Sequence, residues 1–581
     1  MKKIYFKLTV FIIVVIIAGG FAYGVYKAFF APNDTMAPAF AEGKLNIVVG
    51  GDVVDNRGEP LVIDGRILLP LPLVRQYIDP NINWDKTAHK LTITTRDRVI
   101  RMKTGSLEAY VNNKPVNLNI PVKEEKGGVL VPIEFLGEFY NIKISMNSDN
   151  NVVLIDFKDS KIQTAEPVKS GAVVRTGRSK AFPVVKKLDG LEGKDNELLV
   201  FEDYDKWYKV RTAEGAVGYI EKRFVSVKPA SAVEPVQDES GPAVWKPQNG
   251  KISMAWDYAY NMKTNLSERA VIKGLDVISP TWFQVVGTDG EIENHADGKY
   301  VEWAHKNGYK VWALLSNNFS ESENSGRFLN NTDSRENAIR QLLAFAALYK
   351  LDGINLDFEG LKNSDRDALT QFVRELSPLL REQGLVISVD VNMLPCYDRK
   401  ALGEAADYVA LMAYDQHWSG GGVAGSVAQL SWTDDAVCSF LKDVPAEKLI
   451  LGMPFYTRLW KETPVGGKIK LTSQALSMNG IQKLLDESKA QKTWDEESGQ
   501  FYSEYTKDGA TYKVWLEDEN SLNLRTSLVH KYELAGAAAW RLDFEEPEVW
   551  NVISRNLKVI GSYSEWKLEN KNGQYAFSGG N

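Results

Sequence analysis

Histidine and cysteine are scarce in this chain: five His (His89, His295, His305, His417, His530) and two Cys (Cys396, Cys438) among 581 residues. The histidines show no metal-ligand spacing, so no metal site is expected from them. Two cysteines make no disulfide framework; two buried thiols are the expectation, and a Cys396–Cys438 disulfide is the alternative. Excess positive charge is also missing. Lys and Arg number 69 against 76 Asp and Glu, a net charge of −7, which excludes nucleic acid as a partner held by bulk charge. Long apolar runs are absent apart from one near the N-terminus. Lys2, Lys3 and Lys7 precede Leu8–Tyr26, which carries no charge, and Lys27 closes it. About 19 residues reach across a bilayer core of roughly 30 Å as a helix. The preceding lysines put the N-terminus inside and the rest of the chain outside. An uncleaved membrane anchor is the expectation; cleavage near Ala39-Phe40-Ala41 is the alternative. Either way the protein is expected outside the cytoplasm.

What is present is ordinary globular composition, 44% hydrophobic and 25% charged, over a length that calls for several domains. One segment stands out: Asp352-Gly353-Ile354-Asn355-Leu356-Asp357-Phe358-Glu359. Its alternation predicts a β-strand with Asn355, Asp357 and Glu359 in one row and Ile354, Leu356 and Phe358 facing covering helices. Neighbouring carboxyls push one another toward the protonated form, which is what a general acid needs. The plainer alternative is an acidic strand tip that binds a cation or water. Seven further strand-like runs share the region: Ile252–Tyr258, Val277–Val286, Lys310–Asn317, Leu385–Val391, Tyr408–Asp415, Leu449–Tyr456 and Gly536–Phe544. Helical patterns between them are clearest at Glu336–Tyr349, Asp365–Gly384 and Asp434–Lys442. Strands alternating with helices over about 300 residues predict an α/β chain with a (β/α)₈ TIM barrel over 251–558. Glu359 then falls at the C-terminal strand ends, where such barrels do chemistry.

These residues resemble glycoside hydrolase family 18. "DGINLDFE" is similar to its strand-four signature D-G-x-D-x-D-x-E, and "MAYD" (Met412–Asp415) to M-x-Y-D on strand six. Trp540 in "GAAAWRLDFE" matches the strand-eight tryptophan, and "LGMPFYTRLW" is typical of the bacterial branch that acts on spore cortex and peptidoglycan. Asn355 departs from the family's usual Asp and tilts the expected substrate away from chitin. The resemblance implies that Glu359 protonates the leaving oxygen while the substrate's N-acetyl oxygen attacks the anomeric carbon, a substrate-assisted route. It implies that Asp357 orients the acetamido group, that Tyr414 donates to its oxygen, and that Asp415 and Asn355 serve in binding. Trp540 would floor the sugar subsite, although an Ala-rich strand also accommodates a packing tryptophan. Trp282, Trp418 and Trp460, at strand ends or in loops, are further stacking candidates. The implied ligand is an N-acetylated glycan, peptidoglycan or chitin, handled by a monomer; the rivals to a peptidoglycan N-acetylglucosaminidase are a chitinase and a non-hydrolytic, lectin-like barrel.

Upstream, Arg66–Thr95 and Gly128–Phe157 read as two copies of strand, proline, short helix and hairpin. Residues 45–158 resemble the copper amine oxidase N-terminal-like module, expected here as a spacer or wall contact. Residues 167–228 resemble a small bacterial SH3-type β-barrel, with Trp207, Tyr208, Gly218 and Tyr219 near its signature. A linker (229–250) follows, and the polar tail 562–581 is expected to be loosely ordered.

Overall fold

The computed structural model describes residues 2–29, 32–54, 60–125, 128–137, 139–158, 160–188, 196–229, 244–259 and 266–571. The chain divides into two compact units. The first takes in 1–82, 102–109 and 115–240; the second takes in 83–101, 110–114 and 241–581.

In the first unit the predicted repeat is visible as paired copies. Strand Arg66–Pro70 leads into helix Leu71–Tyr77, and strand Gly128–Pro132 leads into helix Ile133–Leu136. The two strands pair antiparallel, with Leu69 opposite Val131. Proline suits the position because its fixed φ and missing N–H cost nothing where a helix begins. Residues 163–228 form a seven-stranded antiparallel sheet. Arg211, 3% exposed, ties this sheet to the repeat module through two 2.8 Å hydrogen bonds to Asp156 and one of 2.7 Å to the Gly50 carbonyl. The extended segment before Asn46 is built in as well. Asn33 and Ala37 donate to the carbonyls of Lys180 and Val184, and Phe40 packs on two apolar clusters. The segment expected as an anchor is a helix, Lys2–Phe29, yet among the described residues no helix is long and apolar enough to cross a membrane. Leu8–Val10 and the framing lysines lie outside the residues whose side chains are described.

The second unit holds the barrel. Its strands are β1 (Ile252–Asp257), β2 (Val277–Pro280), β3 (Lys310–Ser316), β4 (Gly353–Asp357), β5 (Val386–Val391), β6 (Tyr408–Met412), β7 (Leu449–Pro454) and β8 (Gly536–Trp540). They run parallel in the order β2-β1-β8-β7-β6-β5-β4-β3, and a β2–β3 pairing closes the ring. All but β5, which ends at Val391 as expected, stop short of their predicted ends, because the residues beyond them turn into the loops of the C-terminal face. The Val277–Val286 run is two strands, β2 and Phe283–Val286, with Thr281-Trp282 between them.

Side-chain alternation decides the interior. Ile354, Leu356 and Phe358 join the large apolar cluster under the helices, as predicted. The inward row is apolar at the N-terminal end, where Trp312 stacks on Tyr408 at 5.7 Å and Trp245 meets Trp312 edge-on. Gly353 makes room for this plug, since a Cβ there would lie 2.8 Å from the Trp312 ring. Further along, the same row turns polar with Ser279, Asn355, Asp357, Ser388 and Asp390, all buried. The apolar end closes the barrel, so the polar layer opens only toward the C-terminal mouth.

Three features were not foreseen. Between β7 and β8 an insertion carries a five-stranded antiparallel sheet. It opens with the hairpin Tyr456–Val465/Lys468–Ser477, whose turn uses Gly466 and Gly467 at φ +58° and +78°. Residues 83–101, expected to belong to a spacer, are part of the barrel unit. Val99 lies in the barrel's own core, Asp85 caps the Thr332 amide at 2.8 Å, and Lys90 pairs with Glu336 at 3.0 Å. The tail is ordered as far as helix Tyr563–Glu569, because Trp566 is buried and donates to Asn523 at 3.0 Å. Residues 572–581 and most of the expected linker (230–243) lie outside the described residues. Cys396 is buried but Cys438 is exposed, and the two are unpaired.

Beneath the barrel helices, Glu375 (0% exposed) accepts from Arg335 at 2.8 Å and has Arg101 at 3.6 Å. Both guanidiniums hold its carboxyl below the usual range despite burial. Removing the anion strands two buried cations, so Glu375→Ala should destabilise the barrel unit by about 3–5 kcal/mol. Urea unfolding followed by tryptophan fluorescence measures this; a loss below about 1 kcal/mol would show that Arg101 does not depend on Glu375.

Candidate active site

Parallel register sets the site. Asn355 lies opposite Ser388, and Asp357 opposite Asp390. The inward row of β4 therefore meets that of β5 at two successive levels. Asn355 uses its full hydrogen-bonding capacity. Its Oδ1 accepts from Trp256 Nε1 (3.0 Å) and Ser279 Oγ (3.1 Å), and its Nδ2 donates to Ser388 Oγ (2.9 Å) and Asp390 Oδ1 (2.7 Å). With 0% exposure it has nothing left for a ligand, which corrects its expected role in substrate binding.

Above that level lies a pocket of about 190 Å³ lined by Trp256, Phe319, Asp357, Glu359, Asp390, Asn392, Met412, Tyr414, Asp415, Tyr456 and Trp540. Four predicted residues thus converge with Trp540: Asp357, Glu359, Tyr414 and Asp415. Asp357 ends β4, and Glu359 sits two residues beyond it in the loop. That loop is held by Asn317, whose side-chain amide reads both backbone groups of Glu359. Its Oδ1 accepts from the Glu359 N–H (2.9 Å) and its Nδ2 donates to the Glu359 carbonyl (2.8 Å). The same Nδ2 also reaches Ser325 Oγ at 2.9 Å. Asp415 takes φ +57° and accepts from Tyr456 OH at 2.6 Å, while the Tyr414 and Tyr456 rings meet edge-on at 6.3 Å. Trp540 and Trp256 lie 6.1 Å apart at the floor.

The electrostatics follow from burial. Burial first, and then the carboxylates of Glu359 and Asp390, hold Asp357 well above the usual carboxylate range. Glu359 is raised by burial and then by Asp415. Burial pushes Asp390 up to about 8, with Glu359 adding to the rise and the bonds from Asn355 and Trp256 opposing it. Burial also keeps the Tyr414 hydroxyl protonated and able to donate. Among the described residues Asp357 Oδ1 is buried without a hydrogen-bond partner. An orphaned carboxylate oxygen in a pocket is costly unless something else supplies a donor.

The remaining tryptophans divide. Trp282 is 2% exposed and packs edge-on against Tyr300 at 5.1 Å, so it belongs to the core. Trp460 is 1% exposed in the insertion hairpin and donates to the Gly425 carbonyl at 2.8 Å. Neither can stack on a sugar, which corrects both expectations. Trp418 is 53% exposed in the loop after β6, outside the pocket lining. Asp390, Tyr456 and Asn317 were not singled out. The pattern Val386-Ile387-Ser388-Val389-Asp390 carried the signal for Asp390, since it puts Ser388 and Asp390 on the face of a strand beside β4.

Residues 256–545 match the model of glycosyl hydrolases family 18. The barrel is a family 18 glycosidase. Residues 48–155 match the copper amine oxidase N-terminal domain. The chain is 27% identical over 303 residues to an uncharacterised glycosylase, YvbX, of Bacillus subtilis, covering 48% of this chain and 86% of that one. It is 27% identical over 251 residues to the cortical fragment-lytic enzyme of B. subtilis, covering 41% of this chain and 58% of that one. It is also 24% identical over 321 residues to human di-N-acetylchitobiase, covering 48% and 80%. Against the solved spore cortex-lytic enzyme SleL of Bacillus megaterium the TM-score is 0.48 at 23% identity, covering 58% of this chain and 77% of that one.

Asn317 sets where the Glu359 carboxyl points without entering the pocket lining. Asn317→Ala should therefore lower kcat of this glycosidase by about ten- to a hundredfold with little change in KM. Steady-state kinetics on a chromogenic N-acetylglucosaminide tests this, and an unchanged kcat would refute the clamp.

Proposed function

We propose that this glycosidase cleaves β-1,4 N-acetylglucosaminyl linkages in peptidoglycan, with retention and with the substrate's own acetamido group as nucleophile. The observation that carries the reading is the orphaned, buried Asp357 Oδ1 beside a raised Glu359 in one pocket. An acetamido N–H supplies the donor that Asp357 lacks. Glu359 gives its proton to the glycosidic oxygen as the bond to the anomeric carbon breaks. The acetamido oxygen bonds to that carbon, Tyr414 donates to the reacting group, and the positive charge that forms lies against Asp357. Water then attacks the anomeric carbon and returns a proton to Glu359. Two inversions give net retention. Trp540 supplies an apolar floor for the sugar ring, and Trp418 a stacking face beyond the pocket.

Likeness to a cortical fragment-lytic enzyme supports peptidoglycan, and likeness to di-N-acetylchitobiase supports chitin oligomers as the second substrate. We place peptidoglycan first because Asn355 departs from the family's usual Asp. A purely sugar-binding barrel is disfavoured by Glu359, which keeps the position and protonation that an acid needs. We infer also that the chain works outside the cytoplasm, with its N-terminal segment retained. Lysines precede an uncharged run, and side chains from Phe11 to Ile17 are exposed on its helix. Cleavage after Ala41 would strip Phe40 from the clusters it packs on.

Glu359→Gln should abolish release of reducing ends from peptidoglycan and chitin oligomers while keeping much of the sugar affinity, because the proton donor stabilises the transition state rather than the ground state. More than about a tenth of wild-type turnover would mean that another acid is at work.

The nucleophile is tested separately. Glycans de-N-acetylated at the reacting sugar should resist cleavage, a thiazoline mimic of the cyclic ion should inhibit, and NMR should show a product of retained configuration. Inverted product, or equal rates on de-acetylated glycan, would leave the family and remove the mechanism.

A further inference from the structure

The peptide that joins Phe358 to Glu359 lies just past the last ladder pairs of β4, Asp357 with Ser316 on one side and with Asp390 on the other. Its N–H donates to Asn317 Oδ1 at 2.9 Å. Its C=O, on Phe358, accepts from the Tyr397 hydroxyl at 2.8 Å. Asn317 follows β3 and Tyr397 follows β5, the two strands that flank β4. Side chains from both neighbours therefore grip one rigid peptide plane. The Phe358 ring is fixed as well, stacked on Phe372 at 5.8 Å and tilted against Phe328 at 6.2 Å. With ring and plane both set, the direction in which the Glu359 side chain leaves the backbone is set too.

Tyr397 is placed to act on that backbone rather than on a ligand. It is 4% exposed, belongs to the apolar cluster under the helices and does not line the pocket. The next residue, Asp398, anchors it. Asp398 accepts from the Ala401 amide at 3.1 Å, capping helix Arg399–Ala405, and pairs with Arg366 at 2.8 Å. Burial first, and then Cys396 and the carboxyls of Glu359, Asp357 and Asp390, hold the phenol far above its ordinary value, so its hydroxyl stays a donor. A phenylalanine would fill the same space; what the hydroxyl adds is the bond to Phe358.

We infer that Tyr397 is a positioning residue for Glu359: its hydroxyl fixes the Phe358–Glu359 peptide, and with it the place from which the Glu359 carboxyl reaches the glycosidic oxygen. The inference rests on the reading above that makes Glu359 the proton donor. Without the bond the Phe358 carbonyl must turn toward another donor, and a misplacement of about 1 Å can cost a hundredfold in rate. The loss falls on proton delivery. Asp357 stays in the ladder, and Tyr414 and Trp540 come from β6 and β8 on the far side of the ring.

The test separates proton delivery from the rest of the site. Tyr397→Phe removes one oxygen and keeps the ring. It is compared with wild type on N-acetylated chito-oligosaccharides, whose leaving alcohol needs a proton, and on a 3,4-dinitrophenyl glycoside of N-acetylglucosamine, whose leaving group departs without one. On the oligosaccharide kcat/KM should fall at least about tenfold, carried by kcat with KM within about twofold, whereas on the dinitrophenyl glycoside kcat/KM should stay within about threefold. Equal losses on both substrates would make Tyr397 a plain packing residue, and no loss on either would mean that the peptide keeps its place without it. Either result overturns the inference. Hydrogen exchange at the Glu359 amide needs no substrate. It should quicken at least about threefold in Tyr397→Phe while exchange within β4 is unchanged, and an unaltered Glu359 amide overturns the inference too. Glu359→Gln is the control for the underlying reading. If it loses both substrates equally, or if wild type cleaves no N-acetylated glycan, that reading fails instead, and the exchange result still decides whether Tyr397 holds the loop.

Discussion

Burial of carboxyl groups at the open end of a closed barrel is the constraint on which the rest of this site depends. Asp357 and Asp390 are buried, and no cation among the described residues compensates them, so their protonated forms are favoured. Such groups cost stability as they ionise. Their folded pKa values lie above the unfolded ones, so their contribution to stability is full below about pH 4 and falls as pH rises, that of Asp390 through about 8. The barrel accommodates this because its other end is closed by Trp312, Tyr408 and Trp245, which need no solvent. One inward-facing row therefore runs from dry aromatic packing to acid chemistry within the length of a strand.

Glu359 is held by its backbone. Glu359 lies past the end of β4, where the ladder no longer fixes the chain, and Asn317 from the end of β3 supplies the two missing hydrogen bonds. Asn317 is itself bonded to Ser325 in helix Ser322–Asn330, next in sequence to the helix that Asp85 caps and Lys90 pairs with. Residues from far upstream thus buttress the same side of the barrel that carries the Glu359 loop. This accounts for Arg101 beneath the helices, where a free spacer would have no reason to bury a guanidinium.

Much of the barrel was legible because its signals are local. Alternation in Gly353–Asp357 fixed which side chains face in, and the motifs held Glu359, Asp357 and Tyr414, which line one pocket. What escaped depends on pairing between strands. Asp390 reads as one acid in an apolar run until β5 is set beside β4 in register. Asn355 looked like a ligand because its row was known, but its four partners come from β1, β2 and β5. Trp282 and Trp460 were misread for the same reason, since whether a tryptophan lines a groove or a core is settled by what packs over it. The insertion was passed over although Gly466-Gly467 between two alternating runs is a hairpin signal.

The insertion also has a mechanical consequence for the pocket. The loop after β6 carries Asp415 and Trp418 and contains Gly420, Gly421 and Gly422, so its own backbone gives it little stiffness. Its return leg is fixed from outside. Trp460 donates to Gly425, Ser426 bonds Gln500, and Arg525 reaches the Ala428 carbonyl. Gln500, Ser521 and Arg525 converge on Glu517, which is 4% exposed and held at about 7 by burial against the pull of Arg525. A buried network with this many satisfied members is rigid, and losing one member leaves the others uncompensated. Trp460, Gln500 and Glu517 belong to the stretch between β7 and β8, so that stretch immobilises a loop it does not contain. Tyr456 completes the arrangement by bonding Asp415 from the first residue of the insertion hairpin. Asp415 in turn raises Glu359, so the insertion acts on Glu359 through the position of a neighbouring charge rather than by touching it.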